Sequence, residues 1–150
     1  MNLSVTLQKR IRIIINETRV VVPKLFLKLV FTWFRSTKNA KQKIETSPRG
    51  EYVTSSLTLY EALVIIAGLT GKNLKEKTFT EKVVNSITGI KGLIIEPLKP
   101  EDFTQALDLM NVCKLDYEDS IHLAVAIRTG AQEIVTNDKD FETTLIKRAI

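Results

Sequence analysis

Tyr52-Val53-Thr54-Ser55-Ser56-Leu57-Thr58-Leu59-Tyr60-Glu61-Ala62 changes its structural period within a few residues. Tyr52-Val53-Thr54 is an aromatic and β-branched run that reads as a short strand. From Thr58 to about Leu69 the apolar residues recur at helical spacing, and Gly68 and Gly71 close that helix. Ser47-Pro48-Arg49-Gly50 in front of the strand is a turn. A strand running straight into a helix is the building unit of parallel α/β sheets.

The same alternation continues on the C-terminal side. Thr80 to Ile87 predicts a second helix and Leu93-Ile94-Ile95 a short buried strand. Pro100 to Cys113 predicts a helix, with Phe103, Ala106, Leu107 and Met110 at the required spacing. Tyr117 to Thr129 predicts another, stopped at Gly130. Ile134-Val135-Thr136 follows as a strand, and Phe141 to Arg148 as a last short helix. On the N-terminal side, Arg12 to Ile15 and Val20 to Val22 are candidate strands. Lys24 to about Glu45 reads helical, and Leu25 to Phe34 is apolar nearly all round, which calls for burial or a partner. The expected architecture is a three-layer α/β/α sandwich with a mainly parallel central sheet. At 150 residues it fits a single domain over 1–150.

Such sheets place their working crevice beyond the carboxyl ends of the strands. Glu61, Asp119 and Asp138 each sit just after a strand or near a helix start. Hard cations such as Mg²⁺ and Mn²⁺ take oxygen ligands, so converging carboxylates suit them. Each acid also has a local reading. Thr58 and Glu61 have capping-box spacing, Asp116 and Asp119 have cap-like spacing, and Asp138 or Asp140 has the position to cap the last helix. Spacing alone leaves both readings open.

Composition narrows the class. With 44% hydrophobic and 26% charged residues, the chain has the make-up of a soluble globular protein. The single cysteine, Cys113, rules out an internal disulfide and reads as core filling. No stretch approaches the roughly 20 uncharged apolar residues of a spanning helix, and no cleavable leader is evident, so a cytoplasmic protein is expected. The net charge of +5 is uneven: residues 1–50 carry 11 Lys+Arg and 2 Asp+Glu (11 − 2 = +9), and residues 51–150 carry 11 and 15 (11 − 15 = −4). A basic segment suits a phosphate backbone and an acidic one suits divalent metal.

Three segments together resemble a known family. The stretch from Tyr52 to Ala62 looks like the second motif of PIN domains, the nucleases that include the VapC toxins. Tyr117-Glu118-Asp119-Ser120-Ile121-His122-Leu123-Ala124-Val125-Ala126 looks like the third, and Thr136-Asn137-Asp138-Lys139-Asp140-Phe141 like the fourth. Order and spacing both match, over roughly Gly50 to Glu142, with residues 1–49 divergent. The resemblance implies a metal-dependent endoribonuclease using Mg²⁺ or Mn²⁺. It implies that Glu61, Asp119 and Asp138 are the catalytic, metal-holding acids, with Asp140 a further carboxylate and Thr136 a polar companion. It also implies RNA as substrate, an antitoxin of the VapB type, and a homodimer.

Arg128 and the basic N-terminal segment are candidates for holding the RNA backbone. His122 reads as a core residue or a hydrogen-bonding support behind the ligands. The family opens with a strand followed by an Asp-Thr-Asn type motif, whereas this chain has no aspartate before Asp102. Glu17-Thr18-Arg19 is the best substitute, which makes Glu17 the candidate ligand there. The alternative is a catalytically impaired relative acting as an RNA-binding or scaffold module. A phosphatase or nucleotide hydrolase using the same acids is a poorer reading, since no phosphate-cradling glycine-rich loop is present.

Overall fold

The computed structural model describes residues 19–21, 46–48, 51–136 and 138–149. The expected strand at Arg12 to Ile15, the helix from Lys24 to about Glu45, and Glu17 lie outside these described residues. The first described element is strand β1 (Arg19–Val21), followed by β2 (Tyr52–Ser55) and helix α1 (Ser56–Thr70). Helix α2 (Lys77–Thr88), strand β3 (Leu93–Glu96) and helices α3 (Pro100–Cys113) and α4 (Tyr117–Arg128) come next. Strand β4 (Glu133–Val135), a 3₁₀ turn (Lys139–Thr143) and strand β5 (Lys147–Ala149) complete the order. The strands form one sheet in the order β3-β2-β1-β4-β5. Every pairing is parallel: Val20 of β1 sits opposite both Val53 of β2 and Ile134 of β4.

Alternation along β2 explains the layers. Val53 packs with Leu109, Cys113, Leu123, Ala124, Ile134 and Phe141, a cluster supplied by α3, α4 and the C-terminal strands. Its neighbour Tyr52 packs with Ala62, Ile87 and Leu93, on the side of α1 and α2. Successive strand residues point to opposite faces, so each face is roofed by a helix pair and the fold is a three-layer α/β/α sandwich. Cys113 is buried in the first cluster, as core filling. Among the described residues, no helix is long and apolar enough to cross a membrane.

Helix ends follow local chemistry. Asp116 caps α4 by accepting from the Asp119 amide at 2.8 Å. Asp102, in the first turn of α3, accepts from the Lys99 amide at 2.9 Å. Gly71 closes α1 at φ 65, a left-handed conformation that its lack of a Cβ makes cheap.

Two expectations are corrected. The capping box at Thr58 and Glu61 does not form, because α1 starts earlier with Ser55 as its N-cap. Thr58 and Glu61 then lie inside the helix, and the buried Thr58 hydroxyl accepts from the Thr54 hydroxyl at 2.8 Å. The last helix, expected over Phe141 to Arg148, is instead the short 3₁₀ turn and strand β5. Pairing of Lys147 and Arg148 with Glu133 and Ile134 at the sheet edge outweighs the helical leaning of so short a segment.

Candidate metal centre

The parallel sheet brings the carboxyl ends of its strands to one edge. The chain runs outward from β1 through β2 to β3 and then crosses back to β4 on the other side of β1, so this edge holds a topological switch point between β1 and β4. Ser55 at the end of β2, Glu61 on the helix that follows it, and Thr136 and Asp138 just after β4 belong to the segments that flank it.

Behind β4, the chain turns on its own polar atoms. The fully buried Thr136 hydroxyl accepts from the Asp138 amide at 3.1 Å. Asp138 Oδ1 in turn accepts from the Asp140 amide at 3.0 Å. This turn brings Asp138 and Asp140 to Asp119, 5% exposed in the first turn of α4. One carboxylate oxygen from each lies within 4.8 Å of the others. Three acids this close, one of them buried, repel unless a cation or proton offsets the charge. An all-oxygen set of this size fits Mg²⁺ or Mn²⁺ in chemistry.

Glu61 belongs to a second group. Its carboxylate lies with the Glu118 carboxylate and the His122 imidazole, one ligand atom of each again within 4.8 Å of the others. His122 Nε2 is 3.1 and 3.2 Å from the two Glu61 oxygens, and His122 Nδ1 is 3.0 Å from the Ser55 hydroxyl. Hydrogen bonding to Glu61 is the largest cause that pushes the Glu118 carboxyl up to about 7, with desolvation and the Glu61 charge adding to it. The two groups adjoin through Glu118 and Asp119, consecutive residues of α4.

Of the residues singled out from sequence, the structure therefore gathers Asp119, Asp138 and Asp140, with Thr136 holding the turn. It places Glu61 beside His122, whose burial at 1% exposure and hydrogen bonds make it a support rather than an open imidazole. Glu118 was missed. Its signal was there in the spacing, since Glu118 and His122 stand four apart on one face of a helix.

Arg128 is engaged elsewhere. Its guanidinium donates to Asp102 from Nε at 2.8 Å and Nη2 at 3.0 Å, to the Pro97 carbonyl at 2.9 Å and to Glu96 at 3.3 Å. The clamp ties the C-terminus of α4 to the β3–α3 connection, and these donors face protein rather than a phosphate backbone. Glu17, and the strand Arg12 to Ile15 that it was read as following, lie outside the described residues.

A PIN domain family model matches residues 25–145, beginning after β1. Among solved structures, one chain from a toxin–antitoxin complex of Klebsiella pneumoniae is similar at TM-score 0.61 and 19% identity, covering 89% of this chain and 97% of that one. VapC20 of Mycobacterium tuberculosis, described as a toxin that cleaves the sarcin-ricin loop, is similar at TM-score 0.62 and 17% identity, covering 83% of this chain and 93% of that one. At these identities the likeness is one of fold. No curated protein matches the sequence.

Proposed function

The chain belongs to the PIN domain family, and on that premise we propose that it is a Mg²⁺- or Mn²⁺-dependent endoribonuclease of the VapC toxin type. The observation that carries the proposal is the grouping of Asp119, Asp138 and Asp140 beside Glu61, Glu118 and His122 at the switch-point edge of the sheet. Bound there, a divalent cation supplies a water of lowered pKa and offsets charge gathering on the phosphate.

The chain's own residues do the positioning. Asp119, Asp138 and Asp140 hold the cation, and Asp116 and Thr136 fix the backbone on which two of them stand. Glu61 is read as a further cation-holding acid beside them, and its hydrogen bond to Glu118 is the main cause that pushes the Glu118 carboxyl up to about 7. The excess of Lys and Arg in residues 1–50 favours RNA as the polyanion held against this edge. By analogy with its structural neighbours we further propose an antitoxin partner of the VapB type and a homodimer. The exposed Tyr60, Val64 and Leu69 of α1 offer apolar surface for such contacts.

A second reading has one observation in its favour. The residues that follow β1 are Val22-Pro23-Lys24, with no carboxylate where the family's first metal ligand belongs. On this reading the chain binds RNA without cutting it. Incubation of the protein with mixed single-stranded RNA, with Mn²⁺ or with a chelator, separates the two. Metal-dependent cutting that Asp119→Asn removes is expected. Salt-sensitive binding with no cutting at any Mn²⁺ concentration would instead establish the second reading.

A further inference from the structure

We infer that His122, set by Ser55, is a positioning residue that aims the Glu61 carboxylate at the cation, an inference that rests on reading Glu61 as a cation-holding acid. The three side chains come from three different elements: Ser55 ends β2, Glu61 lies on α1 and His122 on α4. Ser55, His122 and Glu61 are 0%, 1% and 8% exposed, so each contact is shielded from competing water.

The chemistry of the donors gives the chain a direction. A carboxylate only accepts, so His122 Nε2 carries the proton and donates to Glu61. In a neutral imidazole the other nitrogen is then an acceptor, and the Ser55 hydroxyl donates to Nδ1 at 3.0 Å. The Glu61 carboxylate itself selects the Nε2–H form, and the Ser55 hydroxyl completes the bond on the Nδ1 side. Without that hydroxyl the ring loses its second anchor, and Nε2 is free to swing off the line between the two Glu61 oxygens. Nε2 stands nearly midway between the two Glu61 oxygens, at 3.2 and 3.1 Å, which holds the carboxylate symmetrically about the ring N–H.

A second feature argues for positioning over mere packing. His122 stands on the same helix as Asp119, so one rigid element orders both the direct ligand and the support for Glu61. Groups that orient a metal-holding side chain in this way typically matter about 10- to 100-fold in metal affinity. An imidazole already holding Ser55 on one side and Glu61 on the other is spent on orientation.

The test is a calorimetric Mn²⁺ titration of the full chain and of His122→Ala, His122→Gln, Ser55→Ala and Glu61→Gln, with metal-free melting curves alongside. His122→Ala is expected to weaken Mn²⁺ binding by about 10- to 100-fold. His122→Gln keeps an N–H close to the Nε2 position and is expected to recover most of the affinity. Ser55→Ala falls between the two. Adding His122→Ala to Glu61→Gln is expected to cost nothing further, since the support acts only through Glu61.

Unchanged affinity in His122→Ala, or additive losses in the double variant, would overturn the inference. So would a His122→Gln variant as weak as His122→Ala, because an amide does not replace an imidazole ligand. If His122→Ala does not fold, His122→Gln and Ser55→Ala carry the comparison, and wild-type affinity in Ser55→Ala then sinks it. A wild-type chain that binds no Mn²⁺ would instead remove the underlying reading of Glu61.

Discussion

Arg128→Met removes the guanidinium clamp while keeping an apolar stem of similar length. In the folded protein Asp102 is 1% exposed and receives a two-pronged bond from Arg128, at 2.8 and 3.0 Å. Burial works against the Asp102 charge, yet the Arg128 bonds and the Lys99 amide more than offset it and hold the carboxyl below its ordinary range. Breaking a buried pair by removing one partner costs about 3–5 kcal/mol. The Lys99 amide remains and the Arg128 side chain is 20% exposed, so we take the lower end, about 3 kcal/mol. For a domain of this size that corresponds to a fall of roughly 6–12 °C in Tm.

The pH dependence adds a second handle. A depressed native pKa means that the unfolded chain takes up the proton first, so the contribution is full above the unfolded value near 3.8 and fades as pH falls below it. The gap between wild-type and Arg128→Met melting curves should therefore narrow on acidification from neutral pH to below 3.8. Thermal melts followed by circular dichroism at both pH values read this directly. A Tm within about a degree of wild type at neutral pH would refute the account of the clamp.

Glu118, pushed up to about 7 chiefly by its hydrogen bond to Glu61, keeps its proton below that pH, and a cation bound at the adjoining carboxylates favours its loss. Mn²⁺ affinity should therefore climb as pH rises toward 7 and level off above it, and Glu118→Gln should flatten that climb; isothermal titrations at several pH values check it. Thr136→Val keeps the shape of a fully buried side chain but deletes the acceptor of the Asp138 amide. It should cost about 1–3 kcal/mol in urea denaturation and weaken Mn²⁺ binding, because Asp138 loses its anchor.

The fold was readable where a segment's pattern agreed with its tertiary surroundings. Pro100 to Cys113 is helical as its spacing requires, and Tyr52 and Val53 alternate between two cores as a strand should. The start of α1 was not readable, because Ser55, Ser56 and Thr58 are all good caps and only the packed structure chooses Ser55. Strand β5 was hidden because Lys147-Arg148-Ala149 has no strand-like composition, and its state depends on an edge position beside β4.

The site shows the same division. Asp119, Asp138 and Asp140 stood out by position near strand and helix ends, as candidate ligands and candidate caps alike. Which acids group with which did not, since the pairing of Glu61 with His122 spans 61 residues of sequence. The bond between Arg128 and Asp102, spanning 26 residues, was equally silent, and a lone basic residue near the acids read as a phosphate contact. Glu118 was overlooked because an exposed glutamate in a helical first turn already has an ordinary explanation in the helix dipole.

The central claim is that Asp119, Asp138 and Asp140 hold a divalent cation. Calorimetric titration of Mn²⁺ into the wild-type chain and into Asp119→Asn, with metal-free melts to confirm folding, tests it most directly. The account predicts saturable binding by the wild type and at least about tenfold weaker binding by the variant, since a direct ligand is lost. Equal affinity in the two folded proteins, or no binding by either, would contradict it and leave these carboxylates as helix caps.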